Sequence, residues 1–199
     1  MKIGIYAGTF DPIHSGHIEF AKSAVKLGGL DKVVVVAEKE PYRKKPHAHW
    51  DHRQAMIERA TESVENVDHD YVFASQLARQ HSMKDMLGLA KKHYSSKNEY
   101  WFLVGSDVFE HMHQWQDLVE NDEYGGFVVA LRDNHTAEWL AEKQSATQLL
   151  GISAKMILIP NLHLHISSSF IRTSIKRGIV PENVPKQVYK YISVHNLYQ

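Results

Sequence analysis

The sequence predicts a doubly wound α/β fold on a parallel sheet, in a single domain spanning residues 1–199. Three observations carry that expectation. Short apolar runs alternate along the chain with longer amphipathic segments, the rhythm of strands joined by crossover helices. The chain opens on one such run, "KIGIYA", and a turn-forming stretch, "GTFDPIHSGH", separates it from the first helical pattern. The 199 residues suffice for one sizeable core, and no repeat, low-complexity tract or linker-like composition divides them.

The elements follow in order. "KIGIYA" is the first strand. From Gly16 to Leu27 the residues Ile18, Phe20, Ala21, Ala24, Val25 and Leu27 fall at helical spacing, and Gly28 and Gly29 supply a stop. "KVVVVA", Lys32 to Ala37, is the clearest buried strand. A basic loop punctuated by proline, "EKEPYRKKPHAHW", leads to a helix over Asp51 to Val64. "YVFA", "EYWFLVG", "GGFVVAL" and "AKMILIP" continue the strand series. The helices "SSFIRTSIKR", stopped at Gly178, and "PKQVYKYISVH" close the chain. This is a Rossmann-like pattern, and in such sheets ligands bind outside the carboxyl ends of the strands. "GTFDPIHSGH" therefore falls at the ligand edge.

Composition narrows the partners. With 23 basic and 23 acidic side chains the formal charge is zero, so no global field steers the chain toward nucleic acid or an anionic membrane. Any anion site is local. Cysteine is absent, which excludes disulfides, thiolate metal sites and a cysteine nucleophile. No apolar run approaches the roughly 20 residues of a membrane helix, and Met1 to Ala7 reads as a strand, so the expectation is a soluble cytoplasmic protein. Histidine is the oddity, at 14 scattered residues.

The opening motif has the parts of a phosphate site. Gly8 permits close backbone approach to a ligand, and Pro12 stiffens the turn and removes one donor. Gly16 and His17 open the next helix, whose free N–H groups and dipole favour an anion. His14 and His17, three residues apart, can converge on that anion as donors. Neither G-x-G-x-x-G nor G-x-x-x-x-G-K-[ST] occurs, so the dinucleotide fingerprint and the Walker loop are excluded. A second anion site stands in "HISSSFIRTSIKRG": serines 167 to 169 form an N-cap cluster, and Arg172 can grip phosphate bidentately. A capped amphipathic helix with a solvated arginine is the plainer alternative for that segment alone.

"GTFDPIHSGH" resembles the T/HxGH signature of the nucleotidyltransferase superfamily, which includes nicotinate and nicotinamide mononucleotide adenylyltransferases, phosphopantetheine adenylyltransferase and several cytidylyltransferases. The resemblance implies that Gly8, Thr9, Phe10, His14 and His17 contact the nucleotide, with the backbone after the strand cradling the α-phosphate. "ISSSFIR" resembles the ISSTxIR signature of the mononucleotide adenylyltransferases, with Ser169 where that pattern has Thr, and favours the branch that makes dinucleotide cofactors. "FLVGSDVFEHMHQW" resembles a G-x-D…W region in which Asp107 would hold an ATP ribose hydroxyl and Trp115 would stack on the pyridine ring. In the basic loop Pro46, His47, Arg53 and Met56 follow the family spacing, but Ala48 stands where the family has Lys, and Lys44 and Lys45 are left to supply the charge. Arg132, ending "VVALR", matches a family arginine. "ARQHSMKDMLG" departs from the family pattern and keeps only Asp85 and Leu87, which leaves substrate choice open.

The implied reaction joins ATP and a pyridine mononucleotide into the dinucleotide and pyrophosphate, with Mg²⁺ bridging phosphate oxygens. His17, with His14 alongside, would stabilise the α-phosphate, Arg172 with Ser168 and Ser169 would hold the β- and γ-phosphates, and Lys45, Trp115 and Arg132 would bind the mononucleotide. Transfer to another phosphate such as phosphopantetheine, and a nucleotide sensor without turnover, are the competing functions. Two histidine clusters, His47, His49 and His52 with His163 and His165, raise zinc, but neither has an evident third ligand in a carboxylate-rich setting, and no protein metal ligand is assigned. Acid versus amide substrate, a homo-oligomer, and the packing of the tail "YKYISVHNLYQ" stay open.

Overall fold

The computed structural model describes residues 1–41, 45–77, 81–106, 124–131, 135–149, 155–159 and 166–199. Six strands form one sheet: β1 Lys2–Gly8, β2 Lys32–Ala37, β3 Val67–His69, β4 Glu99–Gly105, β5 Gly126–Ala130 and β6 Met156–Ile159. Their order is β3-β2-β1-β4-β5-β6, and every neighbouring pair is parallel. The chain starts in the middle, winds outward through β2 and β3, then returns beside β1 and winds outward the other way. The direction therefore reverses between β1 and β4, where the flanking connections part and leave a crevice beyond Gly8 and Gly105.

Both faces of the sheet are covered, which is why its strands read as unbroken apolar runs. Val33 and Val35 point into one core, and Val34 and Val36 into the other. The first core is closed by α1 (Ser15–Lys26), α2 (Trp50–Thr61), α6 (Ser168–Lys176) and α7 (Lys186–Val194), through residues such as Phe20, Met56, Ile171 and Val188. The second is closed by α3 (Tyr71–Gln76), α4 (Met83–His93) and α5 (Ala137–Leu149), through Phe73, Leu87 and Leu140. Each such side chain taken fully from water contributes about 1.5–3 kcal/mol before entropy is counted. Leu197 and Tyr198 pack on the first core, so the tail folds back on its own domain.

One expected strand is a helix. "YVFA" looks extended because it is aromatic and β-branched, yet it forms the start of α3, and the strand lies just before it at Val67–His69. Asp70 decides the matter as N-cap, accepting the Phe73 amide at 2.8 Å. The same carboxylate accepts from His93 Nε2 and Tyr94 Oη at the end of α4, both at 2.9 Å. Burial alone would push the Asp70 acid up, but the Phe73 amide, His93 and Tyr94 together hold it below its ordinary value. Neither α4 nor α5 is among the predicted elements, although Met83, Met86, Leu87 and Ala90 of α4 keep helical spacing. No helix among the described residues is long and apolar enough to cross a membrane.

Gly126 opens β5 with φ at 140°, a conformation open essentially to glycine, and a side chain there would run into the Lys155 carbonyl that pairs with Phe127. Gly126→Ala is expected to cost about 1–3 kcal/mol of unfolding free energy. Urea denaturation would show this as a lower midpoint at unchanged slope, and an unchanged midpoint would contradict it.

Candidate active site

A cleft of about 400 Å³ opens at the crevice beyond β1 and β4, and both predicted phosphate motifs line it. Thr9, His14 and His17 come from the first loop, Ser168, Ser169 and Arg172 from the second, and Gly105 floors it from the end of β4. A parallel sheet with crossover helices delivers this arrangement, because each strand's carboxyl end leads into a helix amino end and its unpaired N–H groups.

The first loop is held by aromatic packing. Phe10 sits with φ at 45° and its ring buried, edge-on to Tyr6 at 5.1 Å and to His17 at 5.0 Å. A Cβ on Gly8 would lie 3.2 Å from that ring, so the missing side chain of Gly8 makes room for Phe10. The Phe10 ring is taken up by this packing, which leaves its backbone as the part able to meet a nucleotide. His14 is the N-cap of α1, and its amide donates to His17 Nδ1 at 3.2 Å. The two imidazoles stack, with centroids 3.6 Å apart. Acceptance at Nδ1 puts the proton of neutral His17 on Nε2, so His17 is built as a neutral donor.

The second motif is clamped onto the first. Ser167 caps α6 by accepting the Phe170 amide at 3.2 Å. The Ser168 hydroxyl donates to the Pro12 carbonyl at 2.9 Å, and Arg172 Nη1 donates to the Asp11 carbonyl at 2.7 Å. Arg172 Nη2 donates to Ser169 Oγ at 3.1 Å, which leaves the Ser169 proton to be given elsewhere. The Ser168 proton is committed to Pro12, so a phosphate contact at that position falls to its backbone N–H at the helix start. The guanidinium has five N–H groups, more than these two bonds use.

Comparison with known proteins identifies the family. The family described as cytidylyltransferase-like matches residues 5–174. A "Probable nicotinate-nucleotide adenylyltransferase" of Solibacter usitatus is 30% identical over 200 residues, covering 100% of both chains. One of the same name from Streptococcus pyogenes serotype M18 is 30% identical over 205 residues, covering 100% of this chain and 89% of the relative. The chain belongs to the nicotinate/nicotinamide mononucleotide adenylyltransferase family. In fold it is similar to the Plasmodium falciparum nicotinic acid mononucleotide adenylyltransferase complexed with NaAD, with a TM-score of 0.76 at 21% identity over 99% of this chain and 97% of the other.

The supports of this adenylyltransferase cleft are less legible in sequence than its lining. Asp11, 2% exposed, accepts the His47 amide at 2.7 Å, the Ala48 amide at 3.1 Å and the Tyr198 hydroxyl at 2.7 Å. The His47 ring lies 3.4 Å from the same carboxylate. Arg53, 1% exposed, donates to the carbonyls of Ala48 at 3.2 Å, Thr9 at 2.7 Å and Lys39 at 3.2 Å. Burial pushes its pKa down and the charges of Asp11 and Glu38 resist that. Arg53 thus stitches the exits of β1 and β2 to the basic loop. Asp11 and Tyr198 carry no such signal in the family spacing; the only hint was an acidic residue inside a phosphate-binding turn.

Other assignments sort readily. Lys45 and His47 line the cleft, while Ala48 is buried in the first core, so among the described residues of this loop the lysine that reaches the site is Lys45. Asp107, Trp115, Arg132 and Lys44 lie outside the described residues. Asp85 caps α4 with Ser82, and Leu87 is core, so the two residues that survive in the divergent segment are structural. His47, His49 and His52 face three different partners, namely Asp11, Asp51 at 3.1 Å and Tyr191 at 2.9 Å. Among the described residues no group of three potential metal ligands forms, and His163 and His165 lie outside them.

Arg53→Met would strip three carbonyls of their donor and remove a positive charge that interacts with Asp11. The expected loss is about 3–5 kcal/mol of unfolding free energy, with Arg53→Lys losing about 1–3 kcal/mol. Chemical denaturation of the two variants beside wild type checks the order, and equal stabilities would refute it.

Proposed function

We propose that this chain transfers the adenylyl group of ATP to the phosphate of nicotinate mononucleotide, releasing pyrophosphate and forming the dinucleotide of NAD biosynthesis, with nicotinamide mononucleotide as the other pyridine acceptor. The observation that carries it is the clamp of Ser168 on Pro12 and Arg172 on Asp11, which sets two phosphate motifs against one cleft. A phosphate oxygen of the mononucleotide attacks the α-phosphorus in line, and the bond from that phosphorus to the β-bridging oxygen breaks. The nucleophile is already anionic at neutral pH, so no protein group need take a proton. The work is positioning and charge neutralisation.

In this reading His17 Nε2–H donates to a non-bridging α-oxygen, and the α1 amino end adds backbone donors. Arg172, the Ser169 hydroxyl and the α6 amino end meet the β- and γ-phosphates as charge builds on the leaving pyrophosphate. Asp11 is committed to three donors, and the described residues offer no carboxylate cluster, a setting that fits a cation carried in by the triphosphate. Mg²⁺ bound there supplies charge neutralisation of the phosphates. Lys45 and Arg132 serve the mononucleotide phosphate, Trp115 the pyridine ring and Asp107 the ATP ribose, as the family spacing supports. The location proposed is the cytoplasm, where ATP is made and spent.

Two experiments test the reading. Pyrophosphate release with Mg-ATP is measured against nicotinate mononucleotide, nicotinamide mononucleotide and phosphopantetheine separately, with products identified by mass. A dinucleotide from a pyridine nucleotide is expected, and product from phosphopantetheine alone would overturn it. His17→Ala is expected to lower kcat by about 10²–10³ and, having lost a cap bond, to melt about 2–4 °C lower. Near-normal turnover of the folded variant would remove His17 from the mechanism.

A further inference from the structure

The end of the chain reaches the phosphate site. Tyr198, one residue from the terminus, donates its hydroxyl to Asp11 Oδ1 at 2.7 Å across 187 positions of sequence. To do so the tail adopts left-handed backbone at Asn196 (φ 49°) and at Tyr198 (φ 65°). A bulky residue in that region is strained by roughly 1–3 kcal/mol. Something must hold it there. The approach is set by α7, whose Tyr191 lies under the Arg59 guanidinium at 4.4 Å and has its hydroxyl 2.9 Å from His52 Nδ1 on α2.

Asp11 then couples the tail to both halves of the cleft. Its carboxylate holds the amides of His47 and Ala48, in the loop that carries Lys45 to the site, and its own carbonyl receives Arg172. A buried carboxylate that loses a donor takes one from the nearest alternative. Arg172 and Arg53 are both close enough to bias the Tyr198 hydroxyl electrostatically. Arg53 is pinned by three carbonyls, whereas Arg172 is the arginine on the cleft.

We propose that the Tyr198 hydroxyl is a positioning group for the phosphate site: it completes the donor set of Asp11, which keeps Arg172 turned to the cleft and the 45–48 loop in place. The proposal rests on the adenylyl-transfer reading of the same cleft. Tyr198 touches no substrate; it acts through Asp11.

Tyr198→Phe tests it by deleting one hydroxyl. The expected result is a folded protein whose kcat/KM for ATP falls about tenfold, mostly through KM, and whose His47 and Ala48 amides exchange about tenfold faster. The amides within β1 and β4 keep their protection. Kinetic constants within twofold of wild type in a folded variant overturn the proposal. A variant that does not fold overturns it equally, because the hydroxyl would then belong to overall stability. If wild type itself makes no dinucleotide from either pyridine nucleotide, the proposed reaction fails, and the amide exchange still decides whether Tyr198 holds the 45–48 loop.

Discussion

The cleft depends on keeping one buried carboxylate satisfied. A desolvated Asp11 costs several kcal/mol unless every lone pair it turns inward finds a donor. Its donors come from His47, Ala48 and Tyr198, two regions far apart in the chain. Meeting that demand forces the first turn, the basic loop and the terminus into one arrangement. Arg53 makes the complementary demand, since a guanidinium with almost no solvent needs several acceptors, and the three carbonyls it finds bind the exits of β1 and β2 to the same loop.

Around this frame the phosphate site divides holding from neutralising. Two helix amino ends, those of α1 and α6, border one cleft because β1 lies at the reversal of a parallel sheet. The bond into His17 Nδ1 makes its neutral ring a donor through Nε2, and among the described residues positive charge at the cleft comes from Arg172 and Lys45. Asp11 lines the cleft with its carboxylate taken up by three donors, which tempers the charge it presents to a triphosphate. Formal neutrality of the whole chain and a locally electropositive site are therefore compatible.

Much of the fold could be read directly. β2 and β4 match their apolar runs residue for residue, since a strand buried on both faces has little freedom in composition. "YVFA" misled because four residues cannot distinguish a strand from a short helix, and Asp70 settled the choice with contacts to α4. The site lining was legible in His14, His17, Ser169 and Arg172, whose types and spacing follow from phosphate chemistry. Gly8, Phe10 and Ser168 carry packing duties as well that their types do not reveal, namely room for the Phe10 ring and a hydroxyl bond to Pro12.

By itself the sequence determined the α/β class, the placement of the first motif after the first strand, and the residue types that meet phosphate, because periodicity and helix-end chemistry are local. Only the tertiary structure decided that the two motifs share one cleft, that the Ser168 proton goes to Pro12, and that Arg53 and Tyr198 support the site. Those outcomes depend on which buried donors and acceptors meet across tens to nearly two hundred residues of chain, and the spacing along a sequence carries no record of that pairing.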